Sequence, residues 1–304
     1  MVERAPLFDF CTHLLLLVCL ALIGLPVYVA FVAATQSAAD VNAVPMSLLP
    51  GRELVANLAT AWVKADLGRQ LLNSMVMASG IALGKVAISI LSAFAIVFFR
   101  FPFRMTAFWL VFASLMLPVE IRIVPTYQVA ANVFEPILWL LDVTGLRSVL
   151  ANALGIRLQV KWSLLNSYEG LILPLIASAT ATFLFRQFFM TVPAELIEAA
   201  KIDGAGPIRF LRSILLPLSK TNIAALLVIL FVFGWNQYLW PLLVTTKPEM
   251  NTVVMGLTRL MPSMDSRPEW NLVMAASVLA LLPPVAVVLI LQRWFVKGLV
   301  ESDK

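Results

Sequence analysis

PAELIEAAKIDGAGPIRFLRSILLP, residues 193–217, is a polar island between two apolar runs that are each long enough to cross a bilayer. Helix-start signals stand at its entry: Thr191 as an N-cap, Pro193 in the first turn and Glu195 near the positive end of the helix dipole. Gly204 is the matching stop, because glycine adopts the left-handed conformation at a helix end without a Cβ clash. The spacing therefore predicts a short helix over Ala194 to Asp203 that turns sharply at Gly204. Gly206 and Pro207 then open a second helix, which Pro217 closes. Ala199 and Ala200 leave the middle of the first helix nearly bare, so another surface can approach its backbone, while Glu198, Lys201 and Asp203 place charges around that flat patch. Such an element suits a groove on another protein.

Composition bounds the class. Hydrophobic residues make up 61% of the 304 and mean hydropathy is +0.92, against roughly half apolar residues in soluble domains. This is an all-α, polytopic membrane protein, since lipid leaves backbone groups no partners outside their own helix. A span needs about 20 predominantly apolar residues. Six stretches qualify: Leu14–Ala34, Leu71–Phe99, Met105–Val124, Gly170–Phe189, Thr221–Val244 and Asn271–Trp294. Eleven of the 22 Lys and Arg residues fall on the side that holds residues 190–220 and both termini, in short loops; ten are spread over the longer loops opposite. The positive-inside rule places the denser set, with the polar island, in the cytoplasm. The net charge of +5 is scattered among these loops and gives no nucleic-acid signal.

Glu198-Ala199-Ala200, three residues, Gly204, nine residues, then Ile214-Leu215-Leu216-Pro217 resembles in full the EAA loop of membrane subunits of binding-protein-dependent ABC importers. The resemblance implies the MetI-like permease fold with six transmembrane helices, and for Glu198, Ala199, Ala200, Lys201, Asp203, Gly204 and Pro217 the role of a coupling helix seated in an ATPase. It implies a heterodimer with a second homologous permease, two ATPase subunits that use ATP and Mg, a periplasmic substrate-binding protein, and a bacterial inner-membrane location. Segments such as Met116 to Glu120, Ala181 to Met190 and Gly234 to Leu242 further resemble the second permease subunit of sn-glycerol-3-phosphate importers, within the sugar-type group. The cargo implied is sn-glycerol-3-phosphate or a related glycerophosphodiester; maltodextrin-type permeases share most of these motifs and supply the alternative. The expected layout is residues 1–13 as a cytoplasmic N-terminus, 14–299 as the permease domain with its core at about 71–294, the coupling loop at 190–220, a periplasmic connector at 131–169 and a tail at 300–304.

The first apolar run, from Leu14 to Ala34, exceeds the roughly 7–15 residues of a signal segment and is expected to stay as a helix. Cys11 and Cys19 lie at its start and imply neither a disulfide nor a metal site. Gly80 and Gly84 in the second span make a GxxxG packing face of the kind a subunit interface requires. Lys85 beside them is a charge at bilayer depth, read either as half of a structural ion pair or as a pathway residue. Three residues instead of four separate these glycines, and no Ser or Thr follows Lys85, so this is no phosphate loop. The chain is expected to bind no cofactor and to have no catalytic residues of its own.

The third span ends in LPVEIRIVP, residues 117–125, where two prolines and two opposite charges interrupt the apolar run; broken helices of this kind line sites in transporters. Arg122 offers a planar fork that matches phosphate oxygens, although Glu120 is near enough in sequence to pair with it. The connector holds Trp139 and Trp162 and two apolar clusters too short to span, which suits the outer leaflet. Asn236 and Gln237, inside the fifth apolar run and followed by Trp240, need hydrogen-bond partners from neighbouring helices or from cargo. Two readings from other classes fare worse. An intramembrane enzyme would need convergent catalytic groups, which one histidine, two cysteines and scattered carboxylates do not supply; a non-transport scaffold would need no EAA loop.

Overall fold

A polypeptide that is apolar over most of its length can satisfy its backbone in lipid only by coiling, and every regular element among the described residues is helical. The structure is a computed structural model that describes residues 6–114, 119–154, 160–261 and 268–301. In order the α-helices are α1 (Pro6–Thr35), α2 (Ala38–Val41), α3 (Leu54–Lys64), α4 (Leu67–Phe98), α5 (Arg104–Ala113), α6 (Val119–Ala131), α7 (Glu135–Val143), α8 (Leu146–Leu154), α9 (Tyr168–Ile172), α10 (Ala179–Met190), α11 (Ala194–Ile202), α12 (Pro207–Phe210), α13 (Leu216–Leu218), α14 (Lys220–Trp235), α15 (Leu239–Val244), α16 (Val253–Leu260) and α17 (Trp270–Glu301). Among the described residues, three are long and apolar enough to cross a bilayer unbroken, within α1, α4 and α17.

Of the other three expected spans, the fourth and fifth are interrupted among the described residues. The third is covered by α5 and α6 on either side of residues 115–118, which lie outside the described part, and α6 runs on through Pro125 to Ala131. The fourth was expected to be continuous through the small-residue run at 177–182. Instead α9 passes into a 3₁₀ turn at Leu173–Leu175, the chain leaves the helix, and α10 restarts with an axis bent by 49°. Pro174 cannot donate an N–H to the previous turn, and Ser178 caps the new helix by accepting from the Ala181 N–H. The fifth stops at Trp235; Asn236 and Gln237 occupy a break before α15 instead of lying inside a helix.

The chain forms two compact units. One comprises Met1–Leu71 with Met255–Leu282. Its α1 exposes apolar side chains from Leu7 to Phe31, a surface that acyl chains solvate as well as other side chains would. A buried polar knot holds its other end: Asn57 Nδ2 donates to the carbonyls of Ala34 and Gln36, and Asn271 Nδ2 donates to Asn57 Oδ1. Asn57 lies on α3, with its side chain buried.

The second unit comprises Leu72–Val254 with Pro283–Lys304. Its core gathers Met77 and Ile81 of α4, Ala130 of α6, Leu171 of α9, and Trp240 and Val244 of α15. Asn73 stitches this packing together: its Nδ2 donates to the carbonyls of Glu249 and Asn251 and its Oδ1 accepts from the Tyr168 hydroxyl at 2.7 Å. Gly80 and Gly84 are used within the chain. A Cβ at Gly80 would meet Ile172 Cδ1 at 2.6 Å and one at Gly84 would meet Ile176 Cγ2 at 2.5 Å, so the GxxxG face receives the broken fourth span. In the connector, Trp139 of α7 and Trp162 of the non-helical stretch beyond α8 are exposed.

Candidate functional site

Two places bring the sequence-derived residues together, and α4 touches both. The first is the polar loop. Helix α11 covers Ala194–Ile202, and Gly204 has the positive φ of +68° that its helix stop requires. The end is a Schellman closure: the Ala205 N–H donates to the Ala200 carbonyl at 2.9 Å and the Gly204 N–H to Lys201 at 3.1 Å. Thr191 does not cap this helix. It ends α10, with its hydroxyl donating to Phe188, and Pro193 precedes α11 in extended conformation. Glu198, Ala199, Lys201 and Asp203 are exposed, whereas Ala200 is turned inward. The bare face is therefore narrower than two alanines suggest.

Pro217 does not close the second helix. It lies inside α13, after a π-helical turn at Leu211–Leu215 in which the Leu216 N–H reaches the Leu211 carbonyl. Widening the helix one turn before a proline relieves the clash of its ring with the preceding carbonyls. The stop comes at buried Ser219, whose Oγ donates to Leu215, and there the axis bends by 75° into α14. The loop is seated on an aromatic cluster that sequence spacing did not reveal. Phe210 packs edge-on against Phe98 with ring centroids 5.3 Å apart and stacks on Phe94 at 6.5 Å, and Phe98 meets Phe189 at 6.1 Å. A cavity of about 260 Å³ between this cluster and α11 is lined by Ile197, Ala200 and Lys201. The C-terminal end of α4 thus forms the bed of the loop.

The second place is a cleft of about 200 Å³ lined by Lys85, Arg122, Thr126, Ala177, Phe233, Gln237 and Trp240, among others. Two walls come from helix breaks, with Ala177 preceding α10 and Gln237 separating α14 from α15, and Arg122 is supplied by α6. Lys85 is 7% exposed and its Nζ stands 3.8 Å over the Phe233 ring. Arg122 is exposed. Among the described residues neither cation has a carboxylate within 4 Å. The Glu120 side chain lies outside the described residues. Gln237 Nε2 donates to the Phe233 carbonyl at 3.2 Å, and buried Trp240 spends its indole N–H on the Gly170 carbonyl at 3.1 Å. Asn236 is exposed in the break and does not line the cleft. Phe233 and Thr126 were missed by sequence reasoning, as was the break at Pro174 and Ser178 that helps to form this corner.

Comparison with known proteins bears on what this pair of features serves. The family model described as the binding-protein-dependent transport system inner membrane component matches residues 85–301. The chain belongs to this family. The match takes in Lys85, the cleft and the whole polar loop of this permease. Over its full length it is 50% identical to proteins named sn-glycerol-3-phosphate transport system permease protein UgpE from Agrobacterium fabrum and Rhizobium meliloti, with 100% of both chains covered. The protein of the same name from Escherichia coli O1:K1 is 50% identical, again over 100% of each chain. Among solved structures, the permease resembles a chain of a bacterial ABC transporter involved in the import of the acidic polysaccharide alginate. The TM-score is 0.70 at 16% identity, covering 97% of this chain and 99% of the other. At that identity the likeness speaks for the fold alone.

Proposed function

We propose that this permease is one membrane subunit of an inner-membrane ABC importer that carries sn-glycerol-3-phosphate, or a related glycerophosphodiester, by alternating access. One observation carries the reading: half of all residues, over the entire length, are shared with permeases named for that substrate in several bacteria. The assembly contains a second homologous permease, two ATPase subunits and a periplasmic binding protein, and both termini of this chain are cytoplasmic. ATP and Mg are used by the ATPase partner, whose groove takes α11.

The geometry supplies a mechanical account of coupling. Glu198, Ala199, Lys201 and Asp203 face outward from a helix whose end is locked by Gly204, and exposed Ile202 and Ile208 extend the contact face. The inward side rests on Phe94, Phe98 and Phe210. ATP-driven closure of the ATPases moves α11 as a rigid body, and the aromatic bed passes that motion to α4. From Phe98 to Lys85 along α4 is about 20 Å at 1.5 Å per residue, so one helix links the loop with the cleft.

The test is uptake by the purified complex in proteoliposomes, comparing labelled sn-glycerol-3-phosphate with maltose. ATP-dependent accumulation of the phosphate ester alone supports the proposal, and accumulation of maltose alone overturns it.

A further inference from the structure

We infer that Lys85 and Arg122 together form a subsite for the phosphoryl group of a small polyol phosphate passing through this subunit; the inference rests on the substrate class proposed above. Both cations line one cleft, and among the described residues none that lines it is acidic. A lysine withdrawn from solvent on a span is costly unless a countercharge meets it. Lys85 has the face of Phe233 at 3.8 Å, a contact that holds a cation without neutralising it. An arriving phosphoryl group supplies the missing negative charge.

The second cation adds direction. Arg122 lies on α6 and lines the same cleft as Lys85, so both cations act on an anion with the same sign. Its fork donates to two phosphate oxygens at once, while the lysine serves as a point charge. Thr126 stands one turn further along α6, with its hydroxyl proton donated to the Arg122 carbonyl at 2.7 Å. Its oxygen therefore remains an acceptor for a polyol hydroxyl, and Gln237 faces the same cleft. The volume of about 200 Å³ is below the roughly 300–1,000 Å³ of pockets for drug-sized ligands, which favours a small ester over an oligosaccharide. Lys85, Arg122 and Phe233 belong to α4, α6 and α14. Rocking of α4 by the loop pulls the two cations apart and releases the anion.

The experiment uses the assembled complex with its binding protein in proteoliposomes and reads labelled sn-glycerol-3-phosphate transported per ATP hydrolysed. Lys85→Gln and Arg122→Gln are each expected to lower that ratio by roughly ten-fold or more, the scale of losing a charge-assisted hydrogen bond. Binding-protein-stimulated ATPase activity should persist, and Arg122→Lys should recover most of the ratio. An unchanged ratio in both glutamine variants overturns the subsite. Should Lys85→Gln fail to assemble, the exposed Arg122→Gln decides alone by the same criterion. A wild-type complex that accumulates a neutral sugar and no phosphate ester overturns the substrate reading beneath it, a result separable from failure of the variants.

Discussion

The polar loop and the cationic cleft sit on the same helix, yet they are made in opposite ways. The loop is contiguous: its chemistry lies in backbone geometry over residues 194–219, closed by a left-handed Gly204 and a bend at Ser219. The cleft is assembled from four distant points, Lys85, Arg122, Ala177 and Gln237, two of which lie where an apolar run is broken. A contiguous element tolerates change in its surroundings but not at its hinge. An assembled one depends on packing at every wall.

Substitutions at glycines expose that contrast, and the largest effect belongs to the hinge. Gly204→Val forces a β-branched residue into the left-handed region at a cost of order 1–3 kcal/mol. The end of α11 should reorient and uptake should fall roughly ten-fold or more, each 1.4 kcal/mol being ten-fold, while the subunit still inserts and assembles. Quantitative transport beside a membrane-fraction immunoblot checks both halves, and wild-type uptake would detach the hinge from coupling. Gly84→Leu comes next. Its side chain would collide with Ile176, and overpacking of about 1–3 kcal/mol should lower the thermal midpoint of the purified complex without abolishing partner binding. Loss of the partner permease at an unchanged midpoint would assign the glycines to a subunit interface.

Trp240→Phe tests the floor of the cleft. It leaves the Gly170 carbonyl without its indole donor, a penalty of about 1–3 kcal/mol when the acceptor stays buried, and the midpoint should drop by less than in Gly84→Leu. The smallest effect is expected at Gly206→Ala. Gly206 has φ of −68° and a Cβ there meets nothing within 4 Å, so stability and uptake should change by no more than about 0.5 kcal/mol. Two glycines two residues apart thus separate backbone conformation from mere smallness.

The same contrast explains what could be read from the residues alone. Helix α11, its stop and the restart at Gly206 were legible because capping and glycine chemistry act within a few residues. The three unbroken spans were legible from hydropathy. The split of the fourth and fifth apolar runs was not, since hydropathy averages over Pro174, Ser178 and Asn236, and the local signals compete with a strongly apolar window. Pro217 misled for a related reason: a π-helical turn absorbed the proline, and the chain turned two residues later at Ser219. The Phe94, Phe98 and Phe210 bed and the Lys85–Phe233 contact join helices far apart in sequence, so no spacing rule reaches them.

The central claim is that the outer face of α11 presses on an ATPase in the cytoplasm. Ala199→Cys in a Cys11→Ser, Cys19→Ser background places a single thiol on that face of the assembled importer. Crosslinking to the ATPase subunit, with protection from a membrane-impermeant thiol reagent added to the periplasmic side, is the predicted result. Labelling from the periplasmic side with no crosslink to the ATPase would contradict the account.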